Sequence, residues 1–172
     1  MLFRLTAAAA SRIKLLNINL ITITAKPCFL EEWIVNVFKA ERQDYFIITE
    51  AASLFSILFP AKGITSVSLF ESIIDETIQK IGKSFVEDLN VNELISMDKL
   101  FSKTENNYLR KNQSDQIDHA KRYAKEGKSP IQVNKVPLKE LGFRTPEEIF
   151  HIEMDRILKF NGYVWVPNLI KN

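Results

Sequence analysis

Alternating apolar and polar positions around residue 33 predict a pair of β-strands. The odd-numbered positions from Trp33 to Val37 fall on one face of an extended segment, and the opposite face includes the polar Asn36. The next residues, KAERQD, are too charged to be buried, and Tyr45 to Ile48 form an aromatic and β-branched run typical of a central strand. This pattern predicts a hairpin with a polar turn.

Shorter elements are predicted on both sides of the hairpin. Leu2 to Leu5 is expected to form a first strand, and Thr6 is expected to cap a helix through Leu16. Leu20 to Thr24 has the alternation of another strand. After the hairpin, Thr49 is expected to cap a short helix through Phe59, ended by Pro60 and Gly63.

The most regular helical pattern in the chain follows. Ser68 and Glu71 have the spacing of a capping box. Apolar residues then recur at intervals of three and four and predict one buried stripe: Phe70, Ile74, Ile78, Ile81, Phe85 and Leu89. A second, short helical pattern surrounds Leu94 to Phe101.

The last third of the chain is predicted to contain two helices. The polar residues 102–113 indicate a loop, after which Ser114 is expected to cap a helix that ends at Gly127. Thr145, Pro146 and Glu148 give a clear helix start. Its predicted buried face comprises Phe150, Met154, Ile157 and Leu158, and a closing strand is expected at Tyr163 to Val166.

These elements indicate an α+β fold in one domain covering residues 1–172. A chain of 172 residues with 46% hydrophobic content is long enough for one core. We expect a mainly antiparallel sheet covered by several helices, chiefly those at 69–89 and 146–160. No apolar run approaches the roughly 20 residues that a membrane-spanning helix needs, so no membrane association is expected.

Charge and cysteine content indicate the cellular location of the protein but do not identify its function. The net charge is only +2, but the charges are unevenly distributed. Both ends are basic: residues 1–30 carry four bases and no acid, and residues 101–172 carry 13 bases and 9 acids. The middle is acidic, with 12 acids and 6 bases in residues 31–100. Cys28 is the only cysteine, which excludes an intramolecular disulfide and a multi-thiolate zinc site. A reducing, cytoplasmic location is therefore expected.

Several segments resemble a family of small bacterial proteins classed only as a domain of unknown function. They are the opening FRLT, the Trp33 strand with Asn36, the segment FIITEAASLFSILFP and the stretch KTENNYLRKNQ. The resemblance covers roughly residues 1–110. It implies a single compact bacterial domain and supplies no activity, cofactor or catalytic residue.

Local catalytic signatures do not occur in the sequence. It contains no glycine-rich phosphate loop, no G-x-S-x-G nucleophile elbow and no H-E-x-x-H zinc motif. His119 lies four residues after Asp115, so the two share a helical face, but a metal site would need further ligands. His151 and His119 are both expected to be surface residues. We therefore expect no catalytic residue, no metal and no cofactor.

A basic block makes nucleic acid a possible partner. Residues 103–135 carry eight bases and four acids and include Tyr108 and Tyr123, a mixture that suits phosphate contacts and base stacking. The candidate contacts are Arg110, Lys111, Lys121, Arg122 and Lys125. An enzyme acting on nucleic acid would use Asp115 and His119 as acid and base beside Arg110 and Lys111.

The leading hypothesis from the sequence is a non-enzymatic binding or interaction module, with a protein partner or a second copy of the chain. The nucleic-acid-binding or nucleic-acid-processing protein is one alternative. A small-molecule binder is the other, with a pocket between the Trp33 face of the sheet and the long helix; Trp33, Asn36 and Tyr45 are its candidate residues.

Overall fold

The fold is organised around one mixed, five-stranded sheet. The computed structural model describes residues 1–21, 29–85, 98–104 and 107–159. The strands are β1 (Leu2–Leu5), β2 (Glu32–Ala40), β3 (Gln43–Glu50), β4 (Ser56–Pro60) and β5 (Leu100–Lys103), in the spatial order β4-β3-β2-β1-β5. The helices are α1 (Ala7–Arg12), α2 (Val67–Phe85), α3 (Asn107–Lys125) and α4 (Pro146–Lys159). Short 3-10 segments occupy Pro130–Lys135 and Lys139–Leu141.

The pairing of strands confirms an α+β domain. The antiparallel ladders of β2 with β3 and of β3 with β4 contain eight and five residue pairs. The parallel ladders of β1 with β2 and of β1 with β5 contain four pairs each. Most of the pairing is thus antiparallel, while the first strand of the chain lies inside the sheet with parallel neighbours on both sides.

The predicted hairpin is confirmed with a tight turn. Ala40 pairs with Gln43, so only Glu41 and Arg42 connect β2 to β3. Both connecting residues have positive φ, at 44° and 66°, as in a type I′ turn, whose twist matches that of the flanking strands. The charged turn therefore lies at the tip of the hairpin, and the apolar strands that it joins enter the core.

The first face of the sheet carries the main hydrophobic core. Trp33 and Val35 point to this face, as the alternation predicted, and helices α1, α2 and α4 cover it. The aromatic rings of Phe46 and Phe70 lie 5.1 Å apart between β3 and α2. The buried side chains from these helices and the residue that follows α1 are Ala9, Ile13, Phe70, Ile74, Phe150 and Met154.

The second face of the sheet is covered by α3 and the 3-10 segments. It holds two smaller apolar clusters, one containing Phe38, Ile47 and Ile117 and one containing Ile34 and Leu109. This face also holds buried polar side chains from the sheet, α3 and the first 3-10 segment: Thr49, Ser56, Asn112, Gln113, Gln116 and Asn134. This second layer is consequently more polar inside than the first.

The predicted helix from Thr49 to Phe59 is wrong. Thr49 belongs to β3, a turn follows at Ala51, and Ser56–Pro60 forms β4. The apolar residues Phe55, Ile57 and Phe59 also alternate with period two, and pairing with β3 satisfies the backbone as well as burying them. The turn itself is held by the side chain of Glu50, which sequence spacing did not reveal.

Other helix boundaries differ from the predictions. The N–H of Leu69 donates to the hydroxyl of Ser66, so α2 is capped two residues before the predicted Ser68. Helix α3 begins at Asn107, and Ser114 lies inside it with its hydroxyl bonded to the carbonyl of Arg110. Leu100 and Phe101 belong to β5 and not to a helix.

The start of α4 and the first elements of the chain are confirmed. Thr145 and Glu148 form the predicted capping box, with reciprocal hydrogen bonds of 2.8 and 3.1 Å. Strand β1 and the Thr6 cap of α1 are also as predicted, although α1 ends at Arg12. Ile157 is exposed, contrary to prediction. The predictions for residues 22–24, 86–97 and 163–166 and for the side chains of Phe85 and Leu158 lie outside the described residues.

Candidate functional site

Helix α3 is fixed to the sheet by the side-chain amide of Gln116. Its Nε2 donates to the carbonyl of Leu54 at 2.6 Å, and its Oε1 accepts from the hydroxyl of Ser56 at 2.7 Å. Gln116 is 1% exposed, so water cannot replace these bonds without opening the interface. These hydrogen bonds of the Gln116 amide therefore fix the position of α3 on the sheet.

Gln113 and Asn134 extend this buried polar contact. The Nε2 of Gln113 donates to the carbonyl of Ile34 and to the hydroxyl of Thr49, both at 3.0 Å. Asn134 bonds both the backbone N–H and the carbonyl of Ser56, each at 2.7 Å. Residues 102–113 were predicted to be a loop because of this polar character, but the amides of Asn112 and Gln113 face inward on α3.

The outward side of α3 carries all five candidate nucleic-acid contacts. Arg110, Lys111, Lys121, Arg122 and Lys125 are exposed. At about 100° per residue they span an arc of roughly 120° around the helix, and the first and last lie about 22 Å apart along its axis. We call these five side chains the basic arc. The sequence placed Lys121, Arg122 and Lys125 toward solvent on a helix, and the structure places Arg110 and Lys111 on the same helix and the same surface.

Neighbouring side chains modify the charge of the basic arc. Lys121 lies 3.7 Å from Asp118, and both side chains are well exposed, so water weakens this ion pair. The guanidinium of Arg122 lies 2.6 Å from Nδ1 of His119 and 5.7 Å from the centre of the Tyr123 ring. A guanidinium has no lone pair to accept with, so Nδ1 acts as the acceptor here. Each contact leaves the cation facing solvent.

A groove runs between α3 and β2 beside the basic arc. It is open to solvent and has a volume of about 430 Å³. The strand side is formed by residues 36–39, and the helix side by Ser114, Ile117, Asp118 and Lys121. The floor is apolar at Phe38 and Ile117, and the rim is polar and charged. This combination suits a segment that has both apolar and charged side chains.

The candidate small-molecule residues have different surroundings among the described residues. Trp33 is 2% exposed in the main core, where its Nε1 donates to the carbonyl of Leu30 at 3.2 Å. Asn36 points to the other face and lines the groove. Tyr45 stacks on Phe38 with ring centres 5.6 Å apart, and its hydroxyl donates to Gln43. Of the three, Asn36 is the one that lines the groove.

The histidines lie on different helices. His119 is half-buried on α3 beside Arg122, whereas His151 is exposed on α4. Asp115 is exposed on α3. Within residues 1–21, 29–85, 98–104 and 107–159, no three histidine, cysteine, aspartate or glutamate side chains are grouped closely enough to hold a metal ion.

Glu50 is a buried carboxyl group that the sequence analysis did not single out. It is fully buried at the end of β3, and burial raises its pKa above the usual value, an effect that hydrogen bonds from Ser53, Ala52 and Leu30 oppose. These donors belong to the turns that flank β2 and β4. The carboxyl group thus joins two turns of the main core, which is a structural role.

Comparison with known proteins identifies a family without an assigned activity. The family model described as a domain of unknown function (DUF6933) matches residues 2–148 of this chain. The match confirms the family class expected from the sequence and extends it past residue 110, through α3 and into the first turn of α4. No curated protein matches the chain. Among the described helices, none is long and apolar enough to cross a membrane.

Proposed function

This chain belongs to the family of the domain of unknown function DUF6933, and we propose that it acts as a non-enzymatic binding module. Its binding surface is the outward side of α3 together with the groove between α3 and β2. The partner is another protein or a second copy of this chain. Because the only cysteine, Cys28, excludes an internal disulfide, a reducing bacterial cytoplasm is the proposed location.

One observation supports this proposal: the inner side of α3 is bonded to the sheet by buried side chains, while its outer side is exposed. Gln113 and Gln116 fix the helix to the sheet through buried hydrogen bonds. A surface that keeps its shape loses little conformational entropy when a partner binds. Charged side chains around an apolar floor are the usual arrangement at a protein interface.

The proposal is tested by isolating the protein from the cells that naturally produce it. A tagged wild-type protein and a Lys121→Glu variant are compared by quantitative mass spectrometry of co-purified proteins. Lys121 is on the groove rim and about half exposed, so its reversal is expected to lower recovery of a specific partner at least about tenfold. The control is Lys62→Glu, an exposed lysine in the segment that follows β4.

A partner recovered equally with wild type and Lys121→Glu, but lost with Lys62→Glu, would place the binding surface elsewhere. Equal recovery with all three proteins would leave the α3 surface without a role in binding. Both results contradict the proposal. Circular dichroism of each variant checks that the fold is retained, which is expected because both lysines are exposed.

The basic arc supports single-stranded nucleic acid as a second candidate partner. Residues 100–144 carry ten bases and five acids, an excess of five positive charges on the layer that includes α3. The length of the arc, about 22 Å, corresponds to several nucleotides of an extended strand. Tyr108 is 55% exposed near the start of α3, where its ring is accessible for stacking.

A further inference from the structure

We propose that the edge of β2 at residues 37–39 accepts an extended peptide as an added strand. The peptide carries an apolar and an acidic side chain two positions apart. This inference rests on the proposed binding function and specifies its partner and its mode of contact. Addition of a strand to an exposed sheet edge is a recurring mode of peptide recognition, in which main-chain hydrogen bonds give affinity and side-chain contacts give specificity.

The edge arises because β1 is shorter than β2. Strand β1 pairs with β2 only as far as Leu5 opposite Val35. The chain then leaves the sheet at Thr6 and enters α1. On its other side β2 pairs with β3 as far as Ala40. In the described part of the chain, the second half of β2 therefore has a neighbouring strand on one side only.

The direction of the backbone groups follows from the hydrogen bonds nearby. The N–H of Leu2 donates to the carbonyl of Glu31, and the N–H of Thr6 donates to the carbonyl of Val35. Odd-numbered residues of β2 thus direct their backbone groups toward β1, because these groups alternate along a strand. The backbone groups of Val37 and Lys39 point the same way, beyond the end of β1.

One of these groups is already satisfied within the chain. The side-chain carbonyl of Asn36 accepts from the N–H of Val37 at 2.8 Å and from the hydroxyl of Thr6 at 2.9 Å. Asn36 therefore ends the pairing with β1 and protects the first N–H of the edge. The carbonyl of Val37 and both backbone groups of Lys39 are directed toward a strand position that no described residue occupies.

The groove supplies the space beside this edge. Its strand side consists of the same residues, 36–39, and its volume is about 430 Å³. A segment of about four residues in extended form is about 13 Å long, which matches the length of this half-strand. An added strand would lie between the edge of β2 and the flank of α3.

Side chains on the α3 flank define the chemistry of the peptide. Alternate residues of an added strand face α3, so two residues that are two positions apart both face it. Ile117 offers one of them an apolar contact on the groove floor, and Lys121, one helical turn further along, offers the other a cation. Arg110 and Lys125 lie on the same flank as Lys121. Lys121 therefore favours an acidic side chain at this position of the peptide, in competition with Asp118, which lies 3.7 Å from it.

The inference is tested with two synthetic peptides of identical composition. In the acetylated peptide KTITETTK the isoleucine and glutamate are two positions apart and share a face, whereas in KTIETTTK they are adjacent and face opposite ways. Binding to the full chain is followed by amide-resolved NMR. KTITETTK is expected to shift the amides of residues 37–39 and 117–121 and to slow exchange of the Lys39 N–H at least about tenfold at saturation.

Two variants and one competitor complete the test. Lys121→Glu is expected to weaken binding of KTITETTK at least about fivefold, and Lys39→Pro, which removes the N–H at the edge of β2, is expected to weaken it at least as much. Equal binding of both peptides, or shifts confined to the outer side of α3, would overturn strand addition. Displacement of KTITETTK by oligothymidine without any protection of Lys39 would also overturn it and assign the surface to nucleic acid.

Failure of strand addition is distinguishable from failure of the proposed function. A partner that still depends on Lys121 in the co-purification experiment, with no protection at Lys39, would retain the α3 surface and reject the added strand. A partner that is independent of Lys121 would reject the surface itself.

Discussion

The carboxylate of Glu50 accepts a hydrogen bond from the hydroxyl of Ser53 at 2.6 Å. The same oxygen accepts from the N–H groups of Ser53 and Ala52, and the second oxygen accepts from the N–H of Leu30. One fully buried side chain thus holds the turn between β3 and β4 and the segment that leads into β2. These hydrogen bonds hold the residues after β3 in a turn and not in the predicted helix.

The stability of the protein is expected to depend on pH through Glu50. Burial raises the pKa of Glu50 above its usual value of 4.5, so the folded state holds this proton more tightly than the unfolded chain does. The contribution of the Glu50 proton to the stability of the fold is therefore complete below pH 4.5. This contribution is lost as the pH rises through the folded-state pKa of Glu50.

This pH dependence is tested by measuring the free energy of unfolding as a function of pH for the wild type and for Glu50→Gln. The difference between the two proteins is expected to move in favour of the variant as the pH rises above 4.5. Parallel curves would show that the four hydrogen bonds cancel the effect of burial on this pKa, and a wild type that gains stability relative to the variant would show that they outweigh it.

Replacement of Gln116 by alanine is expected to lower the free energy of unfolding by about 2–4 kcal/mol. The change leaves the carbonyl of Leu54 without its 2.6 Å donor inside the protein and breaks the bond to Ser56. Asp115→Ala is the matched control, because Asp115 is adjacent in sequence but exposed. It should change stability by less than about 1 kcal/mol in chemical denaturation. Equal effects would mean that the buried amide does not anchor α3.

Two isoleucines of α2 should differ in their contributions to the core. Ile74 is 1% exposed, and Ile74→Ala is expected to cost about 2–5 kcal/mol. Ile78 belongs to the same stripe but is only partly buried, so Ile78→Ala should cost less than Ile74→Ala. Denaturation midpoints of the two variants test this order. The reverse order would place the stripe differently against the sheet.

If the basic arc binds single-stranded nucleic acid, its affinity should fall steeply with salt. With about 0.7 counterions released per contact, five contacts predict about a hundredfold loss between about 50 and 200 mM salt. Joint replacement of Lys121, Arg122 and Lys125 by glutamate should abolish binding, while Lys62→Glu should retain it. Fluorescence anisotropy with oligothymidine measures both effects. No binding by the wild type at low salt would remove this candidate.

The sequence predicted the elements whose signals are local. The capping box of Thr145 and Glu148 and the alternation around Trp33 depend on near neighbours, and both are confirmed. The β4 strand was mistaken for a helix because its outcome depends on pairing with β3 and on the buried bonds of Glu50. These contacts form between residues that only the tertiary structure brings together, so the spacing of residues along the chain does not predict them.

The same distinction applies to the candidate site. Exposure of Lys121, Arg122 and Lys125 followed from helical spacing, but the early start of α3 did not. The segment around Gln113 resembles a polar loop until the sheet supplies partners for this amide. The groove and the open edge of β2 depend on where β1 ends. Neither could be inferred from the order of residues alone.

Site-specific photo-cross-linking tests the binding surface most directly. A photoreactive phenylalanine analogue is placed either at Ser114, an exposed serine on the groove wall, or at Ser72, an exposed serine on α2. In the cells that naturally produce the protein, Ser114 is expected to give a discrete cross-linked product that Lys121→Glu abolishes, and Ser72 is expected to give none. A discrete product from Ser72 with none from Ser114 would place the binding surface away from α3.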